Sequence, residues 1–443
     1  MKKLCSLIFI LSLYLQVFAQ PRSYINFNQD WKFSLGDFPE AKNATFNDDA
    51  WRSLNLPHDW SIEADFAKEH PATNQGGALP GGIGWYRKTF KTPGNIKNKQ
   101  VYIQFDGIYQ NSEVWVNGAF LGKRPNGYIS FQYDITSYLK PENQENIITV
   151  KVNNSEQPNS RWYSGSGIYR NVKMLITNPI AIAEHGVFVT TPKVSKEEAI
   201  IKHQLQLENT DALTTPLEIE VKVLNAKGKL VAHSTQTVPV KQLSGIVTQN
   251  LSIKNPALWS PQTPHLYQVM TKVYQNQTLV DELKTTTGIR SFRFDVKNGF
   301  YLNDVPTKIL GVCLHHDLGA IGAAVNVRAM ERQLEMLKAM GANAIRTAHN
   351  PPAPEFLDLC DKMGFLVMDE AFDMWKKRKN KFDYHRDFEE WHERDLADLV
   401  KRDRNHPSVF MWSIGNEIRE QFDSTGTKIA AKLSKIVKQY DDT

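Results

Sequence analysis

The stretch Pro354-Glu355-Phe356-Leu357-Asp358-Leu359-Cys360-Asp361-Lys362-Met363, closed by Gly364 and followed by Phe365-Leu366-Val367-Met368-Asp369, decides the fold of the C-terminal third. It reads as a helix stopped by glycine and then, without a long loop, as an apolar strand. The same unit recurs on both sides. Upstream, Lys308–Leu314 reads as a buried strand. Val327–Met340 reads as a helix with Met330, Leu334, Leu337 and Met340 on one face and Gly341 as its stop, and Asn343–Thr347 as the next strand. Downstream, a long helix is expected from about Phe388 to Asp403, a strand over Val409–Ile414 and a last helix from about Thr425 to Tyr440. Strand and helix alternate four times, which is half of an eight-unit (β/α)8 barrel. Residues 291–443 are therefore expected to be the N-terminal half of a TIM-barrel domain. Because a half barrel leaves an open sheet edge, the natural protein is expected to continue past Thr443.

Ahead of the barrel the periodicity falls to two. Gly84–Phe90, Val101–Phe105, Ser112–Val116 and Ile147–Val152 are strand-like runs between turn signals. Asn117-Gly118 is a strong hairpin signal, since both residues tolerate positive φ. Residues 20–179 are expected to form a jelly-roll β-sandwich. Residues 180–290 follow as an immunoglobulin-like sandwich: Leu217–Leu224 alternates apolar and polar, Asn225–Gly228 turns the chain into Leu230–Ala232, and Asn255 to Pro264 is a Pro-rich loop.

Composition is that of an ordinary globular protein of two to four domains, with 443 residues, 41% hydrophobic and 23% charged. The net charge of +5 is small. No Lys/Arg-rich run of five or more is recognised, and no nucleic-acid partner is expected. Lys2 and Lys3, the apolar run Leu4–Leu15 and Ala19 make residues 1–19 a signal peptide, with Gln20 the first mature residue. That predicts a periplasmic or secreted protein. The apolar run is too short to cross a bilayer of about 30 Å, and no later run approaches the length required, so no membrane association is expected after cleavage. After cleavage only Cys313 and Cys360 remain, both expected to be free and buried.

Ser413-Ile414-Gly415-Asn416-Glu417 sits where the fourth strand meets its loop, on the face where such barrels carry their chemistry. A carboxyl there suits general acid work, with burial raising its pKa so that it holds a proton near neutral pH. A capping or salt-bridged Glu fits the position alone equally well. The longer string Asp403-Arg404-Asn405-His406-Pro407-Ser408-Val409-Phe410-Met411-Trp412-Ser413-Ile414-Gly415-Asn416-Glu417 closely resembles the acid/base signature of glycoside hydrolase family 2. A second signature of that family is matched by Asn343–Pro351 and by Leu359 to Glu370. The order of the three domains fits as well.

The resemblance implies a retaining exo-β-glycosidase that hydrolyses terminal β-galactosides in oligo- or polysaccharides. Glu417 would be its proton donor and later its base, while a second Glu on barrel strand seven, outside this sequence, would be the nucleophile; Glu390, Glu393 and Glu420 are not expected in that role. Asn416 would bind the sugar 2-OH, and Arg346 would orient the nucleophile. His349 and His315 would bind ring hydroxyls, with His316 and Asp317 as weaker candidates. Asp59, in Leu56-Pro57-His58-Asp59-Trp60, would accept from a sugar hydroxyl or else structure its loop. Arg161 to Val172 resembles a segment that fixes the sandwich against the barrel.

Two departures from the family pattern bear on cofactors. Met374 and Lys376 stand where magnesium-dependent members carry a Glu-x-His pair, which argues against Mg²⁺. Ser160 and Arg161 replace an acidic residue tied to a sodium-assisted 6-OH contact, which argues against Na⁺ and against strict galactose specificity. No cofactor is expected, and a homo-oligomer is allowed. A β-glucuronidase is the nearest rival reading, and a non-catalytic carbohydrate-binding protein is the rival of another class.

Overall fold

The structure, a computed structural model, describes residues 21–94, 96–208 and 213–443; the leader expected at 1–19 lies outside these residues. The first sandwich has a six-stranded sheet ordered Arg52–Leu54, Trp31–Leu35, Gly82–Lys91, Glu145–Asn154, Ser112–Val116 and Ala119–Arg124. It faces a four-stranded sheet of Arg22–Asn26, Val172–Thr177, Gln100–Phe105 and Phe131–Asp134. Trp31, Phe33, Tyr86, Ile103, Val114 and Val150 fill the space between the sheets. Each such side chain, fully buried, contributes about 1.5–3 kcal/mol. Asn117 and Gly118 take φ of 52° and 86°, the left-handed pair that a tight hairpin requires.

The second sandwich stacks Ala181–Val194, Glu198–Glu208 and Val247–Lys254 on Leu230–Val238, Leu217–Leu224, Tyr267–Gln275 and Thr278–Thr287. Alternation decides the facing here: Leu217, Ile219, Val221 and Val223 point inward and are fully buried. A small sheet of Phe292–Asp295, Gly299–Leu302 and Val305–Pro306, unread in the sequence, follows. Its Phe300 and Leu302 join Trp259, Leu366 and Phe410 in one apolar cluster under the barrel strands.

Four parallel strands then form one sheet in sequence order: β1 (Gly311–Leu314), β2 (Ala344–Thr347), β3 (Leu366–Glu370) and β4 (Val409–Ser413). The helices between and after them are α1 (Val327–Ala339), α2 (Pro354–Met363), α3 (His385–Asp403) and α4 (Ser424–Tyr440). Asn326 caps α1 by accepting from the Ala329 amide. Pro354 opens α2 and Gly364, at φ 74°, ends it in the left-handed conformation.

Three expectations need correction. The strand expected over Lys308–Leu314 begins only at Gly311, and it is half exposed rather than buried. Among the described residues β1 pairs only with β2, and Cys313 on it is exposed; Cys360 is buried, and both thiols are free. Met340 is not in the apolar helix face. It is the residue that caps α1, and it is 76% exposed.

Buried charges lock the three domains together. Arg22 of the first sandwich makes two hydrogen bonds, of 3.1 and 2.8 Å, to Asp281 of the second. Arg124 reaches Asp395 of α3 at 2.6 Å. Arg170, fully buried, donates to the carbonyls of Pro351 (2.8 Å) and Pro352 (3.0 Å) in the loop after β2, so the segment from Arg161 to Val172 does fix the sandwich to the barrel. Within the barrel unit, His406 Nδ1 lies 2.6 Å from Asp361 of α2, whose other oxygen accepts from the Ser408 amide.

Burial alone would lower the His406 pKa, but the charge and hydrogen bond of Asp361 outweigh it and raise the pKa to about 9. The folded-state value exceeds that of the unfolded chain. The stabilisation is therefore fully present below about pH 6.5 and is lost as pH rises through about 9, up to about 3 kcal/mol in all. Urea unfolding across this window is expected to show stability falling with pH, and a smaller fall in His406→Gln. The same slope in both proteins would rule this pair out as the cause.

Candidate active site

The C-terminal ends of β2, β3 and β4 bring Arg346, Glu370 and Ser413 side by side. Glu370, the last residue of β3, is fully buried. Its carboxylate accepts from Arg346 Nε (2.9 Å) and Nη2 (3.1 Å) and from Ser413 Oγ (2.6 Å), and His349 Nδ1 lies 2.7 Å from Oε1. Removing a carboxylate from water is tolerated only when donors of this kind replace the water. Arg346 Nη2 also donates to Asn416 Oδ1 at 2.7 Å. In this chain the partners of Arg346 are thus Glu370, Asn416 and, at 3.8 Å from Nη1, the Cys313 sulfur; the nucleophile that it would orient is expected outside this sequence.

A second buried carboxylate, Asp373, lies just beyond β3. Arg161 docks on it with Nη2 at 2.7 Å and Nε at 3.3 Å, Lys379 Nζ donates at 2.8 Å, and Asn416 Nδ2 donates at 2.8 Å. Burial works against ionisation of Asp373, but the hydrogen bonds from Arg161, Lys379 and Asn416 outweigh it and hold the carboxyl below its ordinary range. Asn416 is itself buried, with its amide oxygen on Arg346 and its amide nitrogen on Asp373.

Glu417 follows at φ 44°, a left-handed conformation that a residue with a long side chain adopts at a cost of order 1 kcal/mol. The turn swings its carboxyl off the sheet. Its side chain is 69% exposed, with Oε2 at 3.1 Å from Arg161 Nη1 and 3.9 Å from Lys379 Nζ. The expectation that burial raises its pKa is therefore corrected: the Arg161 hydrogen bond and charge, with the Lys379 charge, hold this carboxyl below its ordinary range.

The two histidines share an aromatic wall with the first sandwich. Trp162 stacks on His315 at 5.2 Å between ring centroids and meets His349 edge-on at 5.5 Å. His316 turns away, half-buried with a ring nitrogen 3.2 Å from the Ser164 carbonyl; desolvation depresses its pKa to about 3. Asp317 is a loop acceptor for the Gly319 amide at 3.3 Å.

Asp59 takes the loop-structuring role of its two readings. It is buried and accepts from the amides of Ser61 (3.1 Å), Ser166 (2.9 Å) and Ala323 (2.9 Å) and from the Tyr163 hydroxyl (2.5 Å). With both oxygens engaged, it has no free oxygen to offer a sugar hydroxyl.

Sequence reading passed over four groups of this site. Glu370 and Asp373 were legible as carboxylates just after an apolar strand. Lys379 lies in Lys376-Lys377-Arg378-Lys379-Asn380-Lys381, where five residues of six are basic. Its charges are largely spent locally, with Lys376 on Glu389, Lys377 on Asp423 and Lys379 on Asp373. Arg161 is legible as the start of the docking segment and as a replacement for an acid, but not as a partner of Glu417. Met374 is buried and Lys376 is ion-paired, so neither offers a metal ligand.

Comparison with known proteins agrees with this architecture. Residues 25–179 match the glycosyl hydrolases family 2 sugar binding domain, 182–290 the glycosyl hydrolases family 2 model and 294–443 the glycosyl hydrolases family 2 TIM barrel domain. A β-galactosidase of Bacteroides ovatus is 53% identical over 424 residues, 95% of this chain and 50% of that protein. A β-glucuronidase of Bacteroides fragilis is 29% identical over 457 residues, 100% of this chain and 63% of that protein. The crystal structure of a glycosyl hydrolase family 2 member from Bacteroides cellulosilyticus superposes with a TM-score of 0.91 at 41% identity, covering 94% of this chain and 55% of that one. The chain spans about half the length of the curated relatives it matches. Two sandwiches, a run of parallel barrel strands and three matching domain models in the same order make the chain a member of glycosyl hydrolase family 2.

Proposed function

We propose that the whole protein is a retaining exo-β-glycosidase acting on terminal β-galactosides of oligo- or polysaccharides, exported by its N-terminal leader, with Glu417 as acid and base. The observation that carries this reading is the placement of Glu417. It projects from the end of β4 beside a buried Asn416 whose amide is held on both sides, by Arg346 and by Asp373. A carboxyl on that rim can hand a proton to a glycosidic oxygen and then take one from water. Asn416 would meet the sugar 2-OH, and the His315–His349–Trp162 wall would meet the ring. The β-galactosidase of Bacteroides ovatus supports the sugar named.

Retention requires a second carboxylate about 5–5.5 Å from the first. None of the described neighbours is offered for it. Glu370 is buried under Arg346, His349 and Ser413, and Glu420 is buried with one oxygen on the Lys377 amide. A β-glucuronidase is the second reading. Arg161 and Lys379, cations beside Glu417, would favour a sugar acid. Parallel assays on 4-nitrophenyl β-galactoside and β-glucuronide choose between the two.

Glu417→Gln is expected to keep the shape of the site and lose the proton. Alkyl galactosides and disaccharides should slow by about 10²–10⁴-fold, while cleavage of dinitrophenyl galactoside, whose leaving group needs no proton, should be far less affected in its first step. An equal loss on both classes would remove Glu417 from the acid role. Because Met374 and Lys376 supply no hard ligand, EDTA is expected to leave most of the activity. A loss of more than about tenfold, restored by Mg²⁺, would contradict that.

A further inference from the structure

Arg161 belongs to the first sandwich, yet its guanidinium lies at the end of β4. One edge grips buried Asp373 through Nη2 and Nε, and the remaining nitrogen, Nη1, reaches Glu417 Oε2 at 3.1 Å. The planar fork that a guanidinium offers is suited to spanning two carboxylates, with a separate nitrogen for each. We propose that Arg161 is the positioning residue of the site, tethering the Glu417 carboxyl to the buried Asp373 and controlling when that carboxyl carries a proton. The inference rests on Glu417 being the acid and base.

The other groups facing Glu417 are few. Lys379, on the loop after β3, is farther away at 3.9 Å and is already committed to Asp373 and to the Asn416 carbonyl. Asp373, on the same loop, opposes both cations with its negative charge. On the loop of Glu417 itself, Arg419 makes no ion pair with it among the described residues. Among the described residues Arg161 is thus the nearest cation to Glu417 and the only one brought to it by another domain.

The consequence for the reaction is asymmetric. In the first step the proton on Glu417 passes to the leaving-group oxygen, and an adjacent guanidinium disfavours the protonated form that this step needs. In the second step the carboxylate takes a proton from water, and the same guanidinium favours the ionised form. Arg161 therefore assists the base step and restrains the acid step, and it confines acid catalysis to lower pH.

The test uses protein expressed from the complete coding sequence, with Arg161→Met and Arg161→Lys. For an alkyl galactoside, the alkaline limb of kcat/KM is expected to move to higher pH in Arg161→Met, with the ratio of rates at about pH 8 to about pH 6 rising severalfold. Arg161→Lys should fall between. The limb for dinitrophenyl galactoside, which needs no acid, should stay in place. In ¹³C-glutamate-labelled protein, the carboxyl resonance that disappears in Glu417→Gln should titrate at higher pH once Arg161 is replaced. A uniform rate loss, with the limb and the carboxyl titration both unmoved, would overturn the role. Should Arg161→Met fail to fold, Arg161→Lys decides on the same criteria. If the wild type hydrolyses no glycoside, the proposed function fails instead, and the carboxyl titration still decides whether Arg161 controls Glu417.

Discussion

Asp373 is a carboxylate that the fold has buried, and the site depends on how its charge is met. An ionised carboxyl out of water must be surrounded by donors, or it takes up a proton. Here the donors arrive from three places: Arg161 from the first sandwich, Lys379 from the loop after β3 and Asn416 from the end of β4. Removing any of them would leave charge or hydrogen-bonding capacity unmet in the interior. Glu370, at the neighbouring strand end, has the same role and gathers Arg346, His349 and Ser413. Asn416 bridges the two clusters, and this double hold fixes the residue immediately before Glu417.

The first sandwich is therefore integral to the site rather than an appendage. Arg170 and Arg124 fasten it to the barrel through buried contacts, and Trp162 and Arg161 extend from the fastened segment to the strand ends. Asp59 serves the same end indirectly. It ties the Leu56–Trp60 loop to Ser166 on one side and to Ala323 of the barrel on the other. Of the two readings the sequence allows for Asp59, the structure shows the loop-structuring one.

The barrel elements were legible because their signals are local. Gly364 and Pro354 bound α2 at the residues expected, and Leu217–Leu224 is a strand over the full run whose alternation announces it. The sheet at 292–306 was not legible. It is short, and its one buried aromatic, Phe300, packs against Phe410, more than a hundred residues away, while Phe294 stays exposed. In the candidate site, the family resemblance singled out Glu417, Asn416, Arg346, His315 and His349, and the structure gathers them at the strand ends. Environments did not follow. Whether Glu417 is buried, whether Asp59 is free and which cation sits beside Glu417 are set by side chains from other domains, and spacing within a single motif carries no record of them. Arg161, 256 residues from Glu417, is the extreme case.

A proton donor that later acts as base implies a double displacement, and the configuration of the first product reports it directly. Proton NMR of the sugar released by the complete protein from an aryl β-galactoside, read within the first minutes before mutarotation, tests this. Double displacement predicts that the β-anomer forms first and the α-anomer grows in only as the sugar equilibrates. An α-anomer as the first product would contradict it, because Glu417 would then belong to a single-displacement site with no return of the carboxylate as base.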